Sequence, residues 1–101
     1  MTKANMVWRG AVTGLSYYDY GAIIHRLKVG EALQISPVEN IYDPKAVGIF
    51  YGENQVGWVP KSQNSEVRSL LDQGETLTAV ITNHDPTRDF ASRLFINIYR
   101  S

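Results

Sequence analysis

Apolar and polar positions alternate along most of this chain, and the spacing changes to that of a helix in two places. Residues 6–15 (MVWRGAVTGL) carry β-formers with apolar side chains at Met6, Trp8 and Val12, and Gly10 and Gly14 predict bends in that strand. Tyr20, Ile23, Ile24 and Leu27 fall at i, i+3, i+4, i+7 and predict an amphipathic helix, with Asp19 as its N-cap and Gly30 as its stop. Residues 31–36 (EALQIS) alternate again and predict a strand ended by Pro37. Residues 46–51 and 55–59 predict the two arms of a hairpin joined through Gly52-Glu53-Asn54. Turn and cap residues fill 60–65, and Val67, Leu70 and Leu71 form a second short helical stripe stopped by Gly74. Residues 76–82 (TLTAVIT) and 92–99 (SRLFINIY) predict two more strands, separated by the polar loop 83–89 with Pro86.

The predicted order is β-α-β-β-β-α-β-β, a mostly β chain with two short helices. Six short strands cannot form a parallel doubly wound sheet at this length. A small antiparallel β-barrel is the economical expectation, because closure removes exposed strand edges. No internal repeat, low-complexity tract or linker divides the 101 residues, so one domain spanning 1–101 is expected.

Composition narrows the function. A 44% apolar content with two tryptophans fits a folded chain. No apolar run approaches the roughly 18 residues of a membrane helix, and the N-terminal stretch lacks the apolar core of a signal peptide, so no membrane contact and a cytoplasmic location are expected. The absence of cysteine removes disulfides, thiolate chemistry and cysteine-based zinc sites. Ten basic and ten acidic side chains cancel, which argues against long-range attraction to duplex nucleic acid. A site that grips one or two phosphates and stacks a base remains compatible with that balance.

Catalytic patterns are weak. The serines sit mostly in predicted caps and loops with no GxSxG elbow, and no glycine-rich phosphate loop occurs. His25, His84, Asp85 and Asp89 match no metal-ligand spacing. His84-Asp85 with Asp89 in one loop is the best cluster that can be assembled and reads first as a solvated loop, and a small nuclease or other hydrolase using Asp43 with His84 is the enzyme alternative. The expectation is a non-catalytic protein without metal or cofactor.

The informative stretch is 39–61, ENIYDPKAVGIFYGENQVGWVPK. It places Asp43, Tyr42, Tyr51, Trp58, Lys45 and Lys61 in one hairpin and its flanks. Asp43 either shapes an Asx turn before Pro44 or accepts a hydrogen bond from a sugar hydroxyl. A carboxylate repels internal phosphates, so the second role would favour a strand end with a free hydroxyl. Trp58 is either core or an exposed stacking surface. Tyr17 and Tyr18, at the junction of the first strand and first helix, offer either rim cover or a platform on which a base stacks. Lys61 stands at a predicted helix start where it could meet a phosphate, and Lys45, Arg88 and Arg93 are further candidate phosphate contacts.

Asn40-Ile41-Tyr42-Asp43, Ala46-Val47 and Val56-Gly57-Trp58-Val59-Pro60 resemble the signature of the HIRAN domain family, Asn-Pro-Tyr-Asp, then Ala-Ile/Val, then Val/Ile-Gly-aromatic-Val-Pro. Gly14-Leu15-Ser16-Tyr17-Tyr18 and Leu70-Leu71-Asp72-Gln73-Gly74 extend the likeness from about Trp8 to Tyr99. The resemblance implies an OB-like barrel that binds single-stranded DNA at its 3′-hydroxyl end, as the domain does in a eukaryotic fork-remodelling helicase, and so a part in DNA repair or replication-fork processing. By matching positions, Asp43 would accept the hydroxyl, Tyr17 and Tyr42 would hold terminal nucleotides, Lys61 would touch the backbone, and Phe90 would add a base contact; Tyr18 and Trp58 complete the expected DNA-binding set. Ile41 replaces the family's usual proline, Ser16 a basic residue, and Trp58 a histidine or tyrosine. No ATPase motor is present, so the resemblance implies a standalone recognition module of the kind seen in bacteria and their phages. The rival expectation is a protein-interaction adaptor that docks on a helicase, nuclease or phage protein.

Overall fold

A computed structural model describes residues 5–15 and 19–100. Its elements are β1 (Asn5–Ala11), α1 (Tyr20–Ile23), β2 (Ala32–Pro37), β3 (Val47–Tyr51), β4 (Asn54–Trp58), α2 (Ser65–Asp72), β5 (Leu77–His84) and β6 (Leu94–Arg100). All six strands join one sheet in the order β1-β6-β5-β2-β3-β4, and every neighbouring pair is antiparallel. Alternation decides which side chains enter the core. Leu77, Ala79 and Ile81 of β5 and Leu94, Ile96 and Ile98 of β6 are buried, alongside Leu33, Val47, Ile49 and Val56.

The expected barrel does not close. Closure needs a ladder between the edge strands β1 and β4, and among the described residues there is a single bridge just beyond the end of β1. Val12 N still donates to Leu94 O of β6 (2.9 Å), while Thr13 N donates to Trp58 O (2.9 Å) and Trp58 N returns a bond to Thr13 O (2.8 Å). Gly14 follows the bridge with φ +76°, a backbone conformation that favours glycine. Gly57 makes the approach possible: a Cβ there would lie 2.3 Å from Thr13 O and 2.7 Å from Val12 Cγ1.

The first helix is shorter than its stripe predicts. Only Tyr20–Ile23 is α-helical, and Ile24–Arg26 tightens into a 3₁₀ turn. Gly21 and the β-branched pair Ile23-Ile24 are poor helix formers, and a nucleus this short is weak without tertiary packing. The predicted side matters more than the length: Tyr20, Ile23 and Leu27 are buried. Asp19 makes no side-chain cap bond; its backbone N–H donates instead to Gln55 O of β4 at 3.0 Å.

The second helix ends as expected. Gly74 adopts φ +86°, Gly74 N donates to Leu71 O and Glu75 N to Leu70 O, the paired bonds of a Schellman motif. The hairpin between β3 and β4 turns through Gly52-Glu53 alone, with Tyr51 opposite Asn54 and a positive φ at Gly52 only, the pattern of a type II′ turn. His84, expected in a loop, is the last residue of β5.

A bulge in the same hairpin settles the place of Trp58. Gly48 pairs with Trp58 and Ile49 with Gly57, but Phe50 pairs with Gln55, so Val56 is the extra residue. Strict alternation would put Val56 and Trp58 on one face. The bulge sends Val56 into the core, fully buried, and leaves Trp58 on the outer face, half-buried.

Candidate nucleic-acid interface

The loop 38–46 between β2 and β3 is built from side-chain turns. Asn40 Oδ1 accepts from Tyr42 N at 2.8 Å, and Asp43 Oδ1 accepts from Lys45 N at 3.0 Å, two Asx turns in succession. Val38 N donates to Ala46 O (3.2 Å) and closes the base of the loop. Four side chains then fasten it to α2 and the turn before it. Lys61 Nζ donates to Tyr42 O (3.1 Å), Lys45 Nζ to Ser65 Oγ (3.2 Å) and Asn64 Nδ2 to Asp43 Oδ2 (2.9 Å). Arg68 Nη1 donates to Ala46 O (2.9 Å) and Val38 O (3.4 Å), the two ends of the loop, while its Nε pairs with Asp72 at 3.0 Å.

This fastening shapes a cleft of about 250 Å³ lined by Thr13, Asn40, Tyr42, Asp43, Trp58, Val59 and Lys61. Four expected site residues, Tyr42, Asp43, Trp58 and Lys61, therefore meet around one opening although 19 positions separate Tyr42 from Lys61. Tyr42 is 80% exposed, so no core contact explains its ring. Each Asp43 oxygen accepts one bond from the protein and keeps a lone pair for another donor. The turn-forming role of Asp43 and a ligand-accepting role thus coexist. An aromatic face, a carboxylate acceptor and an ammonium line one wall.

Phe90 stands elsewhere. It opens the 3₁₀ turn Phe90–Ser92, edge-on to Tyr20 with ring centroids 6.3 Å apart, and the Arg93 guanidinium lies 4.0 Å above its ring. Arg93 Nε also donates to Arg88 O at 2.6 Å, which holds the 85–93 loop together. Phe90 does not line the cleft. Tyr17 and Tyr18 lie outside the described residues.

The sequence reading missed Thr13 and Asn64. Thr13 enters the cleft wall because β1 switches partners there. Asn64 is the one polar residue buried among the described residues, at 2% exposure. Its only sequence signal is an asparagine directly before a helix that already has Ser65 at its start. Asn64 does not cap α2 through its side chain; it holds Asp43.

His84 is fully engaged away from Asp43. Nδ1 lies 2.6 Å from Leu27 O, so it carries a proton and donates, and Nε2 meets the hydroxyl of buried Tyr20 at 3.0 Å. The ring stacks edgewise on Tyr20, at 5.7 Å between centroids. These bonds fix the turn after α1 to the end of β5 and leave the postulated Asp43–His84 pair without a shared cleft. Beside it, the Thr87 hydroxyl and then the Thr87 N–H hold the Asp85 carboxyl below the usual range. These contacts are complete above the ordinary carboxyl range and weaken only as pH falls through the lowered value. Among the described residues, no group of three His, Asp or Glu could hold a metal ion, and no helix is long and apolar enough to cross a membrane.

Comparison with known proteins agrees with the motifs. No curated protein matches the chain. A crystal structure of a protein from Lactobacillus plantarum matches with a TM-score of 0.84 at 26% identity, covering 97% of this chain and 95% of that one. The family model of the HIRAN domain matches residues 7–99. With that match running from the first strand to the last, the chain belongs to the HIRAN domain family.

Proposed function

We propose that this HIRAN domain binds single-stranded DNA in the cleft beside the 38–46 loop, capturing a 3′-hydroxyl end without catalysis, in DNA repair or replication-fork processing. The observation that carries the proposal is the meeting of Tyr42, Asp43, Trp58 and Lys61 around one cleft of about 250 Å³. Tyr42 and Trp58 supply flat faces, and base–aromatic stacking is worth roughly 1–3 kcal/mol per base. Asp43 accepts from the terminal hydroxyl and repels a phosphate in the same place. Lys61 offsets the next phosphate inward. With zero net charge, affinity comes from these local contacts and its salt dependence is shallow.

The test is fluorescence anisotropy of a labelled ten-nucleotide strand ending in a 3′-hydroxyl or a 3′-phosphate. Preference for the hydroxyl, abolished by Asp43→Asn, supports end capture. Asparagine keeps an oxygen for Lys45 N, and a flip of the Asn64 amide restores the second bond, so the loop survives the change. Equal binding of both ends would reduce the site to a general strand binder.

A second reading has its own observation. Ile41 is 90% exposed beside Tyr42 at the tip of the fastened loop, an apolar pair suited to a protein partner such as a helicase or nuclease. Competition by single-stranded DNA for any such complex separates shared from independent surfaces.

A further inference from the structure

The cleft wall continues onto a part of the sheet that the proposed site does not use. Trp8, Gly10 and Val12 turn inward: a Cβ on Gly10 would meet the Trp8 indole at 2.8 Å, and Val12 is fully buried. Arg9, Ala11 and Thr13 therefore share the outward face of β1 and its extension. On β6 the inward set is Leu94, Ile96 and Ile98, which leaves Phe95, Asn97 and Tyr99 facing out. The register places Arg9 opposite Asn97 and Ala11 opposite Phe95, without a bulge between them. Thr13, the last member of the row, is already a wall of the cleft.

We propose that this outward face of β1 and β6 is a second nucleic-acid contact surface, which receives the part of a single strand that leaves the cleft. The inference rests on the reading of the cleft as a single-strand site. Three features fit a strand and not merely a solvated sheet. A depression of about 380 Å³ is lined by Arg9, Gly10, Thr82, Phe95, Ile96 and Asn97. Arg9 is exposed and has no hydrogen-bond or ion-pair partner among the described residues, so its guanidinium is available for a phosphate. Phe95 is half-exposed next to it and presents a ring, and Asn97 Nδ2 is steadied by the Tyr99 hydroxyl at 2.9 Å. From Thr13 to Arg9 is four residues of extended chain, about 13 Å, the span of a few nucleotides. A cation with an aromatic neighbour at that spacing is what a sequence-tolerant strand track requires.

The test is anisotropy competition against a labelled ten-nucleotide strand, using an unlabelled trinucleotide and an unlabelled ten-nucleotide strand, both with 3′-hydroxyl ends. In the unsubstituted protein the longer strand should compete about tenfold better. Arg9→Glu should remove that advantage and leave the trinucleotide within about twofold. Arg9→Ala should reduce the slope of log affinity against log salt by about 0.7, the loss of one phosphate contact on a single strand. Normal trinucleotide binding with an unchanged ten-nucleotide strand in Arg9→Glu overturns the track and leaves the cleft standing. If neither strand binds the unsubstituted protein, the cleft reading fails and the track falls with it.

Discussion

Asn64 Nδ2 donates to Asp43 Oδ2 at 2.9 Å from a position only 2% exposed, so a buried amide at the foot of α2 fixes the orientation of a carboxylate in the cleft. The opposite oxygen is fixed by Lys45 N, and the carboxylate cannot rotate without breaking one of the two bonds. A group held in this way meets a ligand without first losing rotamer freedom, which is how preorganisation raises affinity. Asn64 is thus a positioning residue for whatever Asp43 accepts.

Asn64→Ala should therefore separate two readouts. Urea denaturation should show a loss of about 1–2 kcal/mol, one hydrogen bond plus a small cavity. Discrimination between 3′-hydroxyl and 3′-phosphate ends should fall by a larger factor than affinity for internal strand. Equal loss on both strands would make Asn64 a purely structural residue.

Gly57 tests the cleft from its other side. Because a Cβ at Gly57 would lie 2.3 Å from Thr13 O, Gly57→Ala must push the Thr13 segment off β4 or distort the strand. Overpacking of this kind costs typically 1–3 kcal/mol. The bridge amides of Thr13 and Trp58 should lose hydrogen-exchange protection while the β5–β6 amides keep theirs. Retained protection at Thr13 would mean that the Thr13–Trp58 bridge does not depend on the missing Cβ of Gly57.

The elements were legible in the sequence and the closure was not. Helical spacing at Val67, Leu70 and Leu71 with Gly74 behind it, and alternation through β5 and β6, point to one structure because propensity, pattern and cap chemistry agree. Trp58 stayed ambiguous because period-2 counting passes straight through residue 56, and a bulge is a decision of the partner strand. Gly57 was the trace it left. The cleft was half legible for a related reason. Tyr42, Asp43, Trp58 and Lys61 sit in one continuous stretch, whereas Thr13 and Asn64 reach it only through tertiary contacts.

Arg68 should behave differently from its own ion pair. Its guanidinium grips Val38 O and Ala46 O, while its partner Asp72 is mostly solvent-exposed, at 57%. An exposed i,i+4 pair contributes about 0.3–0.5 kcal/mol, so Asp72→Asn should change strand affinity by less than about twofold. Arg68→Met keeps the packing stem and removes the grip on both loop ends, so strand affinity should drop by at least about fivefold, since hydrogen bonds from charged groups are worth about 1.5–3 kcal/mol. If the two variants bind alike, the loop is held without Arg68.

Tyr42 and Trp58 offer the sharpest contrast between stability and binding. At 80% exposure the Tyr42 ring has little to lose from folding, so Tyr42→Ala should leave the urea midpoint nearly unchanged while weakening single-strand binding by about 1–3 kcal/mol. Trp58 is half-buried, so Trp58→Ala removes both packed apolar area and a stacking face and should lower stability and affinity together. Trp58→Phe retains a stacking face and should recover most of the binding. A Tyr42→Ala protein that binds single strands as tightly as the original would remove stacking at the loop tip from the mechanism, and the exposed Ile41–Tyr42 pair would then belong to a protein partner.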